Sequence, residues 1–249
     1  MALGSRPIGR GVLALLAAVL AGNLHAQAQA PAPSESPDSA YAMARQYRGD
    51  TGNTIDLRQS QGWLQRAAEG GLAAAQVDLA FVYLSGNGAV PKDAAQAFRW
   101  FSAAASQGAV AAQCMLGDFH RQGLGGARKD DMLAFGWYAK AAVRDDRCAP
   151  KAQYELYVSY EAGRGVRKDL AKAMQWLDRA ARGNNPQAQA TLARHYEQGY
   201  GVTQDPGLAV SWRRRSREGV SHHDDHDHGP PPCPRWVAGA SARVGGCAS

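Results

Sequence analysis

The feature that most constrains this chain is a tryptophan that returns at Trp63, Trp100, Trp137, Trp176 and Trp212, at intervals of 36 to 39 residues. A period of that size is the length of one supersecondary unit, and a unit that repeats builds a stack rather than a single closed core. Other residues keep register with it. An aspartate stands seven residues before each of the last four tryptophans (Asp93, Asp130, Asp169, Asp205). An alanine stands three residues before them (Ala97, Ala134, Ala173, Ala209). Upstream, an Ala-Gln pair recurs at Gln76, Gln113, Gln153 and Gln189, followed after three residues by Leu79, Leu116, Leu156 and Leu192. Tyr83, His120, Tyr160 or Tyr196 comes next, then a Gly-x-Gly turn at Gly86/Gly88, Gly123/Gly125, Gly163/Gly165 and Gly199/Gly201.

These anchors spell out a helical hairpin. Gln76, Leu79 and Tyr83 share one helical stripe. The glycines end that helix, because glycine enters the left-handed region without a steric penalty. Asp93 is placed to accept hydrogen bonds from the free N–H groups that start a second helix. Ala97, Trp100 and Ala104 then form the expected buried stripe. Ligand stacking on the tryptophans is the alternative, but one per unit on an apolar stripe reads as core. Hydrophobic residues make up 45% of the chain, with only 5 phenylalanines. Alanine, which dominates that fraction, favours helices that approach closely. One hairpin cannot bury its apolar side alone, so several must stack.

The expected class is therefore all-α, an α/α solenoid. Residues 38–72 are expected to be a degenerate first unit, keeping Trp63 and Ala67-Ala68 but not the regular turn. Residues 73–219 hold four regular units. The pattern A-Q-x-x-L, Y, G-x-G-V, K-D, A-x-x-W, A-A and G resembles the Sel1-like repeat, a family of α/α solenoids related to tetratricopeptide repeats. Residues 152–183 carry it most fully. The resemblance implies adaptor or scaffold work, which in bacteria includes envelope, secretion and host-contact roles. It also implies that the first helices line a groove. The positions two and three after each leucine vary between units and are the candidate partner contacts: Phe81 and Val82, Asp118 and Phe119, Val158 and Ser159, Arg194 and His195. The sequence departs from the pattern at His120, at an insertion near 144–149, and at Arg213-Arg214-Arg215-Ser216-Arg217. That basic run reads as the solvated side of a terminal unit, or as a contact for acidic proteins or anionic lipids.

Outside the repeats, Arg6 and Arg10 precede an apolar run at 11–22 and small residues at 25–30. This reads as a signal peptide over 1–26, with 27–37 as a linker, and places the protein in the periplasm or outside the cell. The apolar run is short of the roughly 20 residues that span a bilayer, and no later segment reaches that length. Losing the two arginines would lower the formal charge from +6 to +4, too mild for a nucleic-acid binder. An even count of four cysteines suits an oxidising compartment. Cys114, early in a first helix, and Cys148, past the end of the second, fall at adjacent ends of one antiparallel hairpin. A bridge there is expected, with Cys233 and Cys247 as a second pair or as free thiols.

Candidate chemistry is sparse. The Gly-x-Gly turns lack the strand and the Lys-Ser/Thr ending of a phosphate loop. Cys114 and His120 lie about 240° apart around one helix and cannot form a nucleophile–base pair. No enzyme activity and no required cofactor are expected. The tail at 220–249 is His/Pro-rich and reads as disordered. Its His222, His223, His226 and His228 are potential Zn, Ni or Cu ligands. The expected function is an exported scaffold that binds protein partners as yet unidentified. Metal handling by the tail is the alternative, and a cell-wall enzyme a more distant one.

Overall fold

A computed structural model describes residues 36–49, 56–87 and 89–218. The signal-peptide and linker region before Ser36, the four tail histidines, Cys233 and Cys247 lie outside the described residues. Ten helices are described: α1 (Pro37–Arg48), α2 (Leu57–Glu69), α3 (Ala73–Ser85), α4 (Ala94–Ser106), α5 (Val110–Gln122), α6 (Asp131–Ala142), α7 (Ala149–Ala162), α8 (Leu170–Arg182), α9 (Pro186–Gln198) and α10 (Pro206–Glu218). Among the described residues there is no strand, and no helix is long and apolar enough to cross a membrane. The helices form five hairpins, and each helix packs mainly on its chain neighbours, with α5 also touching α7.

The anchors perform the local tasks that their chemistry predicts. The Asp93 carboxylate accepts from the N–H groups of Ala95 and Gln96, and Asp130 from Met132 and Leu133. The N–H of each such aspartate donates in turn to the carbonyl at the tyrosine position, as from Asp93 to Tyr83 (2.7 Å) and from Asp130 to His120 (2.8 Å). The tyrosine-position backbone thus stitches the two helix ends together, which is why histidine is tolerated there. Asp56 caps α2 in the same way, and its N–H reaches the Tyr47 carbonyl at 2.8 Å. The first hairpin is therefore a regular unit with the same stitch, although its turn residues look unlike the others.

The second glycine of the turns at 123–130 and 163–169 solves a packing problem. A Cβ on Gly165, which has φ +66°, would lie 2.1 Å from the Asp131 carbonyl oxygen. One on Gly125 would lie 2.2 Å from that of Ala94. Both turns therefore rest directly on the start of the preceding hairpin's second helix.

The tryptophans do not form the core stripe that spacing suggests. Trp63, Trp100, Trp137 and Trp176 are half-buried, and only Trp212 is fully enclosed, at 2% exposure. The deep position is the next residue along: Leu64, Phe101, Tyr138 and Leu177. With Ala97, Ala104 and Ala105, Phe101 completes an i, i+4, i+7, i+8 stripe that the tryptophan only flanks. Four of the rings are covered by a cation three residues on, such as Lys140 at 4.1 Å over Trp137 and Arg179 at 4.8 Å over Trp176. The uncovered one, Trp100, has Ala103 at that place.

Adjacent hairpins are joined in two ways. Three junctions close with a left-handed residue and a backbone bond across the helix end. Leu72 donates to Ala67 (3.1 Å), Ala109 to Ala104 (3.1 Å) and Asn185 to Ala180 (3.0 Å). The left-handed residues are Gly71, Gly108 and Asn184. Between α6 and α7 an exposed insertion replaces this motif, and a Cys114–Cys148 disulfide ties α5 to the start of α7. The recurrent glutamine adds a further tie, donating from Nε2 to the last alanine of the preceding helix. Gln76 reaches Ala68 (3.1 Å), Gln153 reaches Ala142 (2.9 Å) and Gln189 reaches Ala181 (3.0 Å).

Candidate functional site

The eight residues expected to line a groove divide into two sets. Phe81 is 41% exposed, Arg194 is exposed, and Val82 and Val158 are half-buried. Asp118, Phe119, Ser159 and His195 are buried, which corrects their assignment as open contacts. The reason is helical geometry. The position three after each leucine lies only about 60° from it around the helix, so Phe119, Ser159 and His195 share the leucine's inward side. The position two after lies nearly opposite and stays outward. Spacing alone contained that distinction.

Each buried member has an internal task. Phe119 packs against Phe98 and Phe101, with ring centroids 5.7 and 5.9 Å apart. The Ser159 carbonyl accepts from Arg164 N–H at 2.9 Å, closing the end of α7. The His195 ring lies between the Tyr200 carbonyl, 2.9 Å from Nδ1, and the Tyr157 hydroxyl, 3.1 Å from Nε2. His195 therefore does not face the surface. Burial is the main cause that holds its pKa below the ordinary value.

Asp118 is an outward position that its neighbours have covered. The Tyr138 hydroxyl donates to its Oδ1 at 2.7 Å, and the Lys151 ammonium donates to Oδ2. Arg121 spans from Asp118, at 3.7 Å, to Glu155, at 3.6 Å. Gly117 makes the arrangement possible, since a Cβ there would fall 2.4 Å from the Tyr138 ring. Burial, together with the charge of Asp118 and the hydrogen bond to it, pushes the Tyr138 pKa well up, so it stays a donor. Burial also raises Glu155, against the opposing pull of Arg121. This five-residue network links α5, α6 and α7 and was not anticipated from sequence, because its members occupy no common repeat position.

The same first-helix side carries other cross-helix pairs. The Tyr41 hydroxyl donates to Asp78 at 3.0 Å, and Arg48 reaches the same carboxylate at 3.1 Å. Tyr154 and Thr191 hydroxyls lie 3.3 Å apart. The first helices thus present a surface that changes from hairpin to hairpin. It is aromatic and aliphatic at Phe81 and Val82, ionic around Lys151 and Arg121, aliphatic at Val158 and cationic at Arg194. Such a side offers several chemically different contacts, each held in place by the packing beneath it. Cys114 is oxidised and fully buried, and His120 Nδ1 lies 3.1 Å from the Arg128 carbonyl. Among the described residues, no three His, Cys, Asp or Glu side chains gather as a metal set.

Comparison with known proteins agrees with this geometry. A model of the Sel1 repeat matches five times, over residues 37–72, 73–108, 110–145, 150–185 and 186–217. Among solved structures, the chain is similar to c5321, a protective antigen present in uropathogenic Escherichia coli strains and displaying an SLR fold. The two are 32% identical with a TM-score of 0.65, over 73% of this chain and 38% of that one. It is also similar to a Sel1 repeat protein from Oxalobacter formigenes, at 26% identity and a TM-score of 0.67, over 83% of each chain. The chain therefore spans well under half the length of the Escherichia coli antigen. No curated protein matches it.

Proposed function

Since the chain belongs to the Sel1 repeat family, we propose that it is an exported scaffold that binds a protein partner along the outward side of its first helices. The family's general role is protein–protein interaction, and the finer reading rests on one observation. The regular residues of each repeat are consumed by capping, stitching and packing, whereas the outward first-helix positions differ from hairpin to hairpin. Phe81 is an exposed aromatic ring held edge-on at 5.0 Å from Phe101, a rigid anchor of the kind that dominates protein interfaces. The signal-like N-terminus supports export, and so does the Cys114–Cys148 bond, which belongs in an oxidising compartment.

A photo-crosslinking residue placed at Phe81 or Arg194 should capture the same envelope partner. One placed at Arg99, exposed on the second helix α4, should not. Equal capture from all three sites, or capture from none, would refute the reading. Cell fractionation with N-terminal sequencing tests export. A mature chain recovered outside the cytoplasm and starting near residue 27 supports it, and an intact cytoplasmic chain counts against it. Metal handling by His222, His223, His226 and His228 is the second reading, supported by the composition of that tract. Removing residues 220–249 and titrating Zn or Ni separates the two. A scaffold keeps its partner after the truncation, whereas a metal carrier loses its ligand.

A further inference from the structure

The side of the array formed by the hairpin turns carries a second, independent feature. Met132 and Leu133, neighbours in the first turn of α6, are 72% and 47% exposed. Their surroundings follow from how the turns stack. A Cβ on Gly165 would fall 2.7 Å from the Met132 nitrogen, so the turn over 163–169 lies directly on the start of α6. The turn over 123–130 leads into that helix from the other side. The exposed Met132 and Leu133 therefore belong to the helix start that both turns adjoin, and both turns are basic. One carries Arg128 and Lys129, the other Arg164, Arg167 and Lys168, and all five are exposed.

The edge carries a net positive charge. Among the described residues, none of those five cations has a carboxylate within ion-pair distance. Three acids, Asp130, Asp131 and Asp169, stand on the same edge against the five cations and leave it net positive. Asp130 accepts from Met132 and Leu133, and Asp169 from the Lys172 N–H.

We propose that this edge binds the anionic headgroups of a phospholipid surface, with Met132 and Leu133 entering the boundary of the acyl region. Cations flanking projecting apolar side chains are the chemistry of an interfacial contact, in which phosphates take the charges and lipid accepts the apolar tips. An acidic polypeptide would satisfy the cations but would give Met132 and Leu133 no apolar phase to enter. The edge is separate from the first-helix side, so a membrane-seated array could still hold a partner.

The test is co-sedimentation of the full chain with phosphatidylglycerol vesicles and with phosphatidylcholine vesicles. Residues 1–26 carry Arg6 and Arg10 beside an apolar run and favour phosphatidylglycerol themselves, so the readout is the difference between the unaltered and the charge-reversed chain. Binding to phosphatidylglycerol should exceed binding to phosphatidylcholine and fall as salt is raised from about 0.05 to 0.5 M. Combining Arg128→Glu, Arg164→Glu and Arg167→Glu should reduce phosphatidylglycerol binding at least about tenfold and leave phosphatidylcholine binding unchanged. The Met132→Ser and Leu133→Ser pair should weaken phosphatidylglycerol binding and keep its salt dependence. All five side chains are exposed, and an unchanged melting temperature verifies that the variants fold. Undiminished phosphatidylglycerol binding by the charge-reversed chain would overturn the proposal. So would a charge-reversed chain that loses only its binding to polyglutamate.

Discussion

His195 makes part of the stability depend on pH. Its Nδ1–H donates to the Tyr200 carbonyl, which leaves Nε2 to accept from the Tyr157 hydroxyl, so the neutral ring fits both partners. Burial keeps its folded pKa below the unfolded value of about 6.5. The neutral form is then the stabilising one. Its contribution is present above about pH 6.5 and is lost as pH falls through the folded pKa. Glu155, raised by burial, runs the other way, and its contribution fades as pH rises above about 4.5. The melting temperature of the native chain should therefore drop between pH 7 and pH 5 more steeply than that of a His195→Gln variant, and parallel curves would refute the assignment. Glycines give a second contrast. Gly165→Ala should cost roughly 2 kcal/mol or more in urea unfolding, since φ is +66° and the Asp131 carbonyl occupies the space. Gly62→Ala lies inside α2 with nothing within 4 Å, and should stabilise by about 0.5–1 kcal/mol.

Among the elements, the α6–α7 junction is the one that departs from the repeat. It has no left-handed residue and no backbone closure like that of Leu72 on Ala67, and the disulfide supplies the constraint instead. Replacing both cysteines by serine should lower stability by about 2–4 kcal/mol. Hydrogen exchange should rise in α5, α6 and the start of α7, while α2, α3 and α4 keep their protection. A uniform rise across all ten helices would mean that the bond acts on the whole array instead. The bridge was legible in sequence because hairpin geometry brings both cysteine positions to one end. The register of Asp56 and Tyr47 was just as legible, seven and sixteen residues before Trp63, but the irregular turn between them hides it. The side-chain network around Asp118 was not legible, since it depends on which residues of three different helices meet.

The five described hairpins form a row of nearest-neighbour contacts, so the worth of a position depends on its place in the row. Leu79, Leu116, Leu156 and Leu192 are each at most 2% exposed, because each first helix lies against the hairpin before it. The equivalent residue of the first hairpin, Met43, is half-buried, and Ser39 replaces the buried alanine. At the other end, Arg213 and Arg217 occupy places that are Phe101 and Ala105 in an interior hairpin, and both are exposed. These two outer surfaces of the described array are polar. Leu156→Ala should therefore cost about 2–5 kcal/mol, and Met43→Ala less than about 1 kcal/mol. Equal losses in denaturant titrations would show that the first hairpin is covered as fully as the fourth.

Helix type, hairpin order, the caps and the number of units were determined by the sequence alone, because each depends on residues close together in the chain and repeats often enough to be read. Which side of a helix faces its neighbour was also written there, within a turn of ambiguity. That ambiguity misplaced the tryptophans by one residue and put His195, Ser159 and Phe119 on the wrong side. Only the tertiary structure decided what the outward residues meet. The covering of Asp118 by Tyr138 and Lys151, and the meeting of two basic turns at Met132, come from contacts between separate hairpins. Local propensity carries no information about such contacts, since they arise only when the units stack.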